Sequence, residues 1–131
     1  MRFTIKGNPP TKKNSAQIIM AGSHPRLIPS KAYREYEQIF LWQVPAKAKQ
    51  KLNLPHTLRC VYYMQTRRRV DLNNLLAATA DLLVKAGVLE DDNSRIIYSL
   101  DGSRVSYDKE NPRVEIEIVP MAEGRNINEN V

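Results

Sequence analysis

Residues 67–92 read RRRVDLNNLLAATADLLVKAGVLEDD, and the fold turns on whether this run is a helix lying on a sheet. From Leu72 the inward positions are Leu72, Leu75, Leu76, Thr79, Leu82, Leu83 and Ala86, the three-to-four-residue recurrence of a helix with one buried face. Asp71 stands directly before it, where a carboxylate accepts N–H groups that the first turn leaves unpaired. Gly87 suits the left-handed residue that stops a helix. The predicted helix therefore starts beside Arg67, Arg68 and Arg69 and ends before Glu90, Asp91 and Asp92.

Working outward, HTLRCVYYMQT alternates Leu58, Cys60, Tyr62 and Met64 with Thr57, Arg59, Val61, Tyr63 and Gln65, the period of a strand. PSKAYREYEQIFLWQ predicts a second helix, capped by Ser30, with Tyr33, Tyr36, Ile39, Phe40 and Val44 turned inward and Pro45 ending it. RFTIKG is a short strand ending at Gly7, NPPTKKNSAQ a loop, and QIIMAGSHPRLIPS a small hairpin. Downstream, RIIYSLDGSRV and PRVEIEIVP each read as one strand, with Glu115 and Glu117 facing water between Val114, Ile116 and Ile118. The order β-α-β-α-β-β predicts an α+β fold, a mixed β-sheet with two helices packed on it. Residues 1–120 form one domain in this reading, and 121–131 a polar C-terminal tail.

A chain of 131 residues, 42% hydrophobic, suffices for one core. Cys60 is the single cysteine, which excludes an internal disulfide and a zinc site built from thiolates. The apolar runs are too short for a membrane span and no charged-then-apolar leader opens the chain, so a cytoplasmic protein without membrane contact is expected. His24 and His56 sit beside prolines in loop-like stretches and receive no catalytic role. The net charge of +6 is unevenly distributed. Residues 1–69 carry 14 Lys or Arg against 2 acids, residues 70–131 carry 6 against 12. The basic half has the character of a polyanion-binding surface, with Lys12, Lys13 and Asn14 in a loop and the three arginines together.

Each acid has an ordinary structural explanation: Asp71 as a cap, Asp91 and Asp92 as turn formers, Asp81 as a surface ion-pair partner. Their combination beside a basic cluster points further, because carboxylates gathered near phosphates call for a divalent cation. Mg²⁺ takes carboxylate oxygens and retains waters, so a few acids from separate segments hold it. A helix of about 15 residues is roughly 22 Å long, too long for Asp71 and Asp92 of one chain to meet if the chain runs straight on. Either the chain folds back, or the second cluster returns along a strand, or a partner subunit completes the site.

RRRVDLNNLLAATADLLVKAGVLEDDNSRI resembles the signature of the RusA family of Holliday junction resolvases: a basic run, Asp-Leu-Asp-Asn-Leu, a helix, then Gly and paired aspartates. Weaker likeness in PPTKKNS and PSKAYREYE extends it over most of residues 6–119. The resemblance implies a small homodimeric endonuclease, dependent on Mg²⁺ with Mn²⁺ as a substitute, that nicks four-way DNA symmetrically in recombination and repair and leaves a 5′ phosphate and a 3′ hydroxyl. Phage and prophage encode many members. Asp71 matches the first motif acid, and Asp92, with Asp91 beside it, the acid after the helix. Asn73 stands where the motif has its second aspartate. That substitution, engineered or natural, weakens metal binding; engineering is favoured because the rest of the block keeps its pattern. Ala77 stands where one family enzyme has a functional lysine. By this reading Asp71, Asn73 and Asp92 are catalytic and hold the metal, with Asp91 supporting the metal, and Lys12, Lys13, Asn14, Arg67, Arg68, Arg69 and Lys85 track DNA phosphates. A non-catalytic branched-DNA-binding protein is the alternative.

Overall fold

The computed structural model describes residues 1–10 and 16–121. Lys12, Lys13, Asn14 and nearly all of the predicted tail lie outside the described residues. The chain runs through β1 (Arg2–Lys6), β2 (Ala16–Ala21), β3 (His24–Pro29), α1 (Lys31–Gln43), a 3-10 turn (Ala46–Ala48), β4 (His56–Met64), α2 (Leu72–Lys85), β5 (Ile97–Ser99), β6 (Arg104–Tyr107) and β7 (Arg113–Pro120).

β7 lies between β1 and β4, antiparallel to both, while β5 and β6 follow one another along the other edge of β4, parallel to it. The mixed sheet with two helices is the expected α+β architecture. Pairing of Phe3 and Cys60 with Ile116, of Ile5 and Tyr62 with Val114, and of Leu58 with Ile118 puts the apolar residues of three strands on one face. There they join Tyr36, Phe40 and Val44 of the α1 segment and Leu75, Leu76, Leu82 and Leu83 of α2 in one core. Cys60 lies fully inside it, and burial pushes its thiol up to about 12, which makes it an inert core residue. The opposite face carries charge: Arg2 and Arg59 meet Glu117, and Arg113 meets Glu115.

Local chemistry explains the helix limits. Ser30 Oγ accepts the Tyr33 N–H at 3.2 Å, and Asp71 Oδ1 accepts the Asn73 N–H at 3.0 Å, each satisfying a donor that the first turn leaves open. Gly87 adopts φ 79° after α2, the left-handed stop. β2 and β3 form the expected hairpin around Gly22-Ser23.

Three readings change. RIIYSLDGSRV is two short strands, broken by a turn in which Ser103 N–H donates to Leu100 O and Gly102 takes φ 84°; the Asp-Gly pair favours that turn over continued extension. Ile39 is 49% exposed, beside Trp42 at 88%, because the inward face of α1 is already filled by Tyr36 and Phe40. His24 and His56 each begin a strand instead of lying in loops.

Candidate nucleic-acid and metal site

The direction of α2 decides what can meet. Thr79, midway along it, hydrogen bonds Tyr62 near the end of β4 at 2.7 Å. Past its last turn, Gly87 O and Val88 O accept from Lys51 and Leu52, ahead of β4. α2 therefore runs antiparallel to β4, with Asp71 at the Met64 end of the sheet. Leu89 bridges Leu52, and His56 N–H donates to Ile96 O at 2.8 Å, which keeps the Glu90–Asp92 loop at the His56 end. The 14 residues of α2 span about 21 Å. Asp71 and Asp92 of one chain stand at opposite ends of it. Among the described residues no three His, Cys, Asp or Glu side chains gather closely enough to hold a metal ion.

At the start of α2, Asp71 is exposed and uses one oxygen as the cap. Asn73, also exposed, sits in the first turn. Arg67, Arg68 and Arg69 are exposed, and among the described residues none has a carboxylate partner. The Arg67 guanidinium lies 4.2 Å from the centre of the Tyr107 ring. Tyr107 reaches it because β6 pairs Tyr107 with Met64, the last residue of β4.

At the other end, Asp91 shapes the loop. Its Oδ1 accepts the Asp92 N–H at 2.8 Å and its Oδ2 accepts from the Asn93 amide at 3.1 Å. These bonds, the backbone one foremost, hold its carboxyl below the ordinary 3.8. Asp92 is exposed, and its backbone is held by the Asp91 turn.

Lys85 stands apart from the arginines. Its ammonium meets Glu37 at 2.8 Å and Asp81 at 3.8 Å, and the Glu37 hydrogen bond is the first cause of its raised pKa. Asp81 thus has the ion-pair role expected of it. Tyr107 and Ser106 went unnoticed in the sequence, because only the parallel pairing of β6 with β4 carries them to the arginines.

The model of the family described as Endodeoxyribonuclease RusA matches residues 6–119. No curated protein matches the chain.

Proposed function

The chain belongs to the RusA family of endodeoxyribonucleases, and we propose from that premise that it is built to resolve Holliday junctions as a homodimer with two composite sites. In each site Asp71 and position 73 of one subunit face Asp92 of the partner subunit, with Asp91 shaping the partner's loop. The observation that carries this reading is the placement of the two acidic groups at opposite ends of one rigid helix. A four-way junction presents two related strands, and a two-fold dimer presents two equivalent sites.

RusA-family resolvases depend on a divalent metal, and the donors fit one. They are hard oxygens on exposed carboxylates, Asp71 keeps one oxygen clear of the cap, and none of these acids is paired with a lysine or arginine among the described residues. Mg²⁺ suits such a set, with Mn²⁺ as its substitute. When bound, the metal supplies an activated water and neutralises charge on the leaving oxygen. The protein's own work is placement. Asp71 is fixed by its cap bond and Asp92 by the Asp91 turn, while Arg67, Arg68 and Arg69 hold backbone phosphates beside Asp71.

Asn73 brings an amide oxygen where the motif has a charged ligand, so this chain holds metal weakly and nicks slowly. The same neutral amide favours the second reading, a branched-DNA-binding protein that no longer cuts. Nicking of a synthetic four-way junction with Mg²⁺, by this chain and by Asn73→Asp beside linear duplex, separates the two. Cutting of the junction by the aspartate form supports the resolvase reading. Tight junction binding without cutting by either form leaves the binding protein.

A further inference from the structure

Two arginines in this fold stack on tyrosines, and they differ in what remains of their charge. Arg113 lies 3.9 Å from the centre of the Tyr63 ring and is also held by Asp108 at 2.9 Å and Glu115 at 3.1 Å. Its guanidinium is committed to the sheet. Arg67 lies 4.2 Å from the centre of the Tyr107 ring with no carboxylate partner among the described residues. A ring face orients a guanidinium without neutralising it, so Arg67 is held in place while its charge stays available.

The surroundings of Arg67 are those of an anion pocket. Thr66, Arg67, Arg68, Val105, Ser106 and Tyr107 line an open cavity of about 430 Å³, and no acidic residue is among them. Among the described residues β6 pairs with β4 alone, so the N–H groups on its other side have no strand partner there. Such donors with a fixed cation recognise a phosphodiester without reading its base.

We propose that β6 completes a phosphodiester-binding pocket, in which Ser106 joins Arg67 and Arg68 as a contact and Tyr107 is the positioning residue that aims Arg67. The pocket rests on the DNA-processing reading above and extends it to a strand outside both acidic groups. Its occupant is one backbone phosphate of a DNA strand passing the Met64 end of the sheet. A stacked arginine loses less freedom on binding than an untethered one, so Tyr107 strengthens the contact through Arg67 and not by touching DNA.

The test is equilibrium binding of the full chain to a four-way junction and to linear duplex over a range of salt, with Arg67→Gln, Tyr107→Leu, Tyr107→Phe and the Arg67→Gln/Tyr107→Leu double variant. Arg67→Gln is expected to weaken binding to both DNAs about 5- to 10-fold and to reduce the slope of log affinity against log salt by about one. Tyr107→Leu should lose a similar factor, Tyr107→Phe should restore it because the ring face is kept, and the double variant should bind no worse than Arg67→Gln alone. Tyr107→Leu and Arg67→Gln losses that multiply, or equal weakening by the Leu and Phe variants, would overturn the positioning role. Strong junction preference with unchanged binding by Arg67→Gln would overturn the pocket and leave the resolvase reading intact. Coupling of Arg67 and Tyr107 on both DNAs, without junction preference, would support the pocket and remove the resolvase reading.

Discussion

At the start of α2, a capping aspartate stands beside three arginines that have no carboxylate partner among the described residues; at its end, a turn built by Asp91 carries Asp92 in a loop whose single arginine is Arg95. The first end concentrates positive charge, which the proposed function assigns to DNA phosphates, and Asp71 alone is too little negative charge for a metal. The second gathers Glu90, Asp91 and Asp92, and its cations, Arg95 in the same loop and Lys51 on the neighbouring segment, are spread out instead of clustered. Charge of opposite sign is concentrated at the two ends, and about 21 Å of helix keeps them apart in one chain. Two chains placed so that opposite ends meet would assemble what one chain separates.

The strongest way to break that contrast is to remove its chemistry while keeping its structure. In the Asn73→Asp background, Asp71→Asn and Asp92→Asn should each lower junction nicking on the order of 1000-fold, roughly 4 kcal/mol in the barrier. Asp91→Asn should lose less than about 10-fold, because its oxygens are engaged in the turn. Single-turnover nicking rates read this directly, and equal losses at Asp91 and Asp92 would erase the distinction between loop former and ligand.

The next effect concerns the spacer between the ends. Leu75 is wholly buried where α2 meets the sheet, and Leu75→Ala should cost about 3 kcal/mol in urea unfolding. A loss under about 1 kcal/mol would mean that α2 is not pinned to the sheet and that the placement of its ends along β4 is not fixed. Smaller still is the cap. Asp71→Ala should cost about 1 kcal/mol of stability and Asp71→Asn only a few tenths, although both should lower nicking on the order of 1000-fold. That divergence between melting and activity separates the structural from the chemical role of Asp71.

The smallest effect is one of pH. The Asp91 carboxyl is held below its ordinary 3.8, first by the Asp92 N–H and then by the Asn93 amide. A depressed carboxyl contributes stability above its unfolded value and loses it as pH falls through the lower folded value. Acid titration of the thermal midpoint should show a shallower decline below about pH 4 for Asp91→Asn than for the parent chain.

These contrasts also show what the sequence made legible. The stripe from Leu72 to Ala86, the Ser30 and Asp71 caps and the stop at Gly87 are local signals, read from periodicity and side-chain chemistry, and the helices lie where they predict. The Gly22-Ser23 hairpin was equally local. The break inside RIIYSLDGSRV was visible in Asp101-Gly102, but the alternation of apolar residues on either side concealed it. Ile39 shows a different limit: its spacing fits the inward stripe, yet Tyr36 and Phe40 already occupy the space beside it. At the site, residue types and spacing pointed to the acids and arginines, whereas their relative placement depended on the direction of α2 along β4. That direction rests on contacts such as Tyr62 with Thr79, between segments whose pairing no local pattern encodes. Tyr107 stayed hidden for the same reason.

Subunit mixing tests the central claim most directly. In the Asn73→Asp background, heterodimers carrying Asp71→Asn in one subunit and Asp92→Asn in the other would be isolated by two affinity tags and assayed for Mg²⁺-dependent nicking of a four-way junction. Sites shared between subunits predict that one site of each heterodimer recovers both acids, so nicking returns to about half the rate of the unsubstituted dimer while each homodimer stays inactive. Heterodimers as inactive as the homodimers would show that Asp71 and Asp92 serve the same site within one chain, contradicting the division of labour between the two ends of α2.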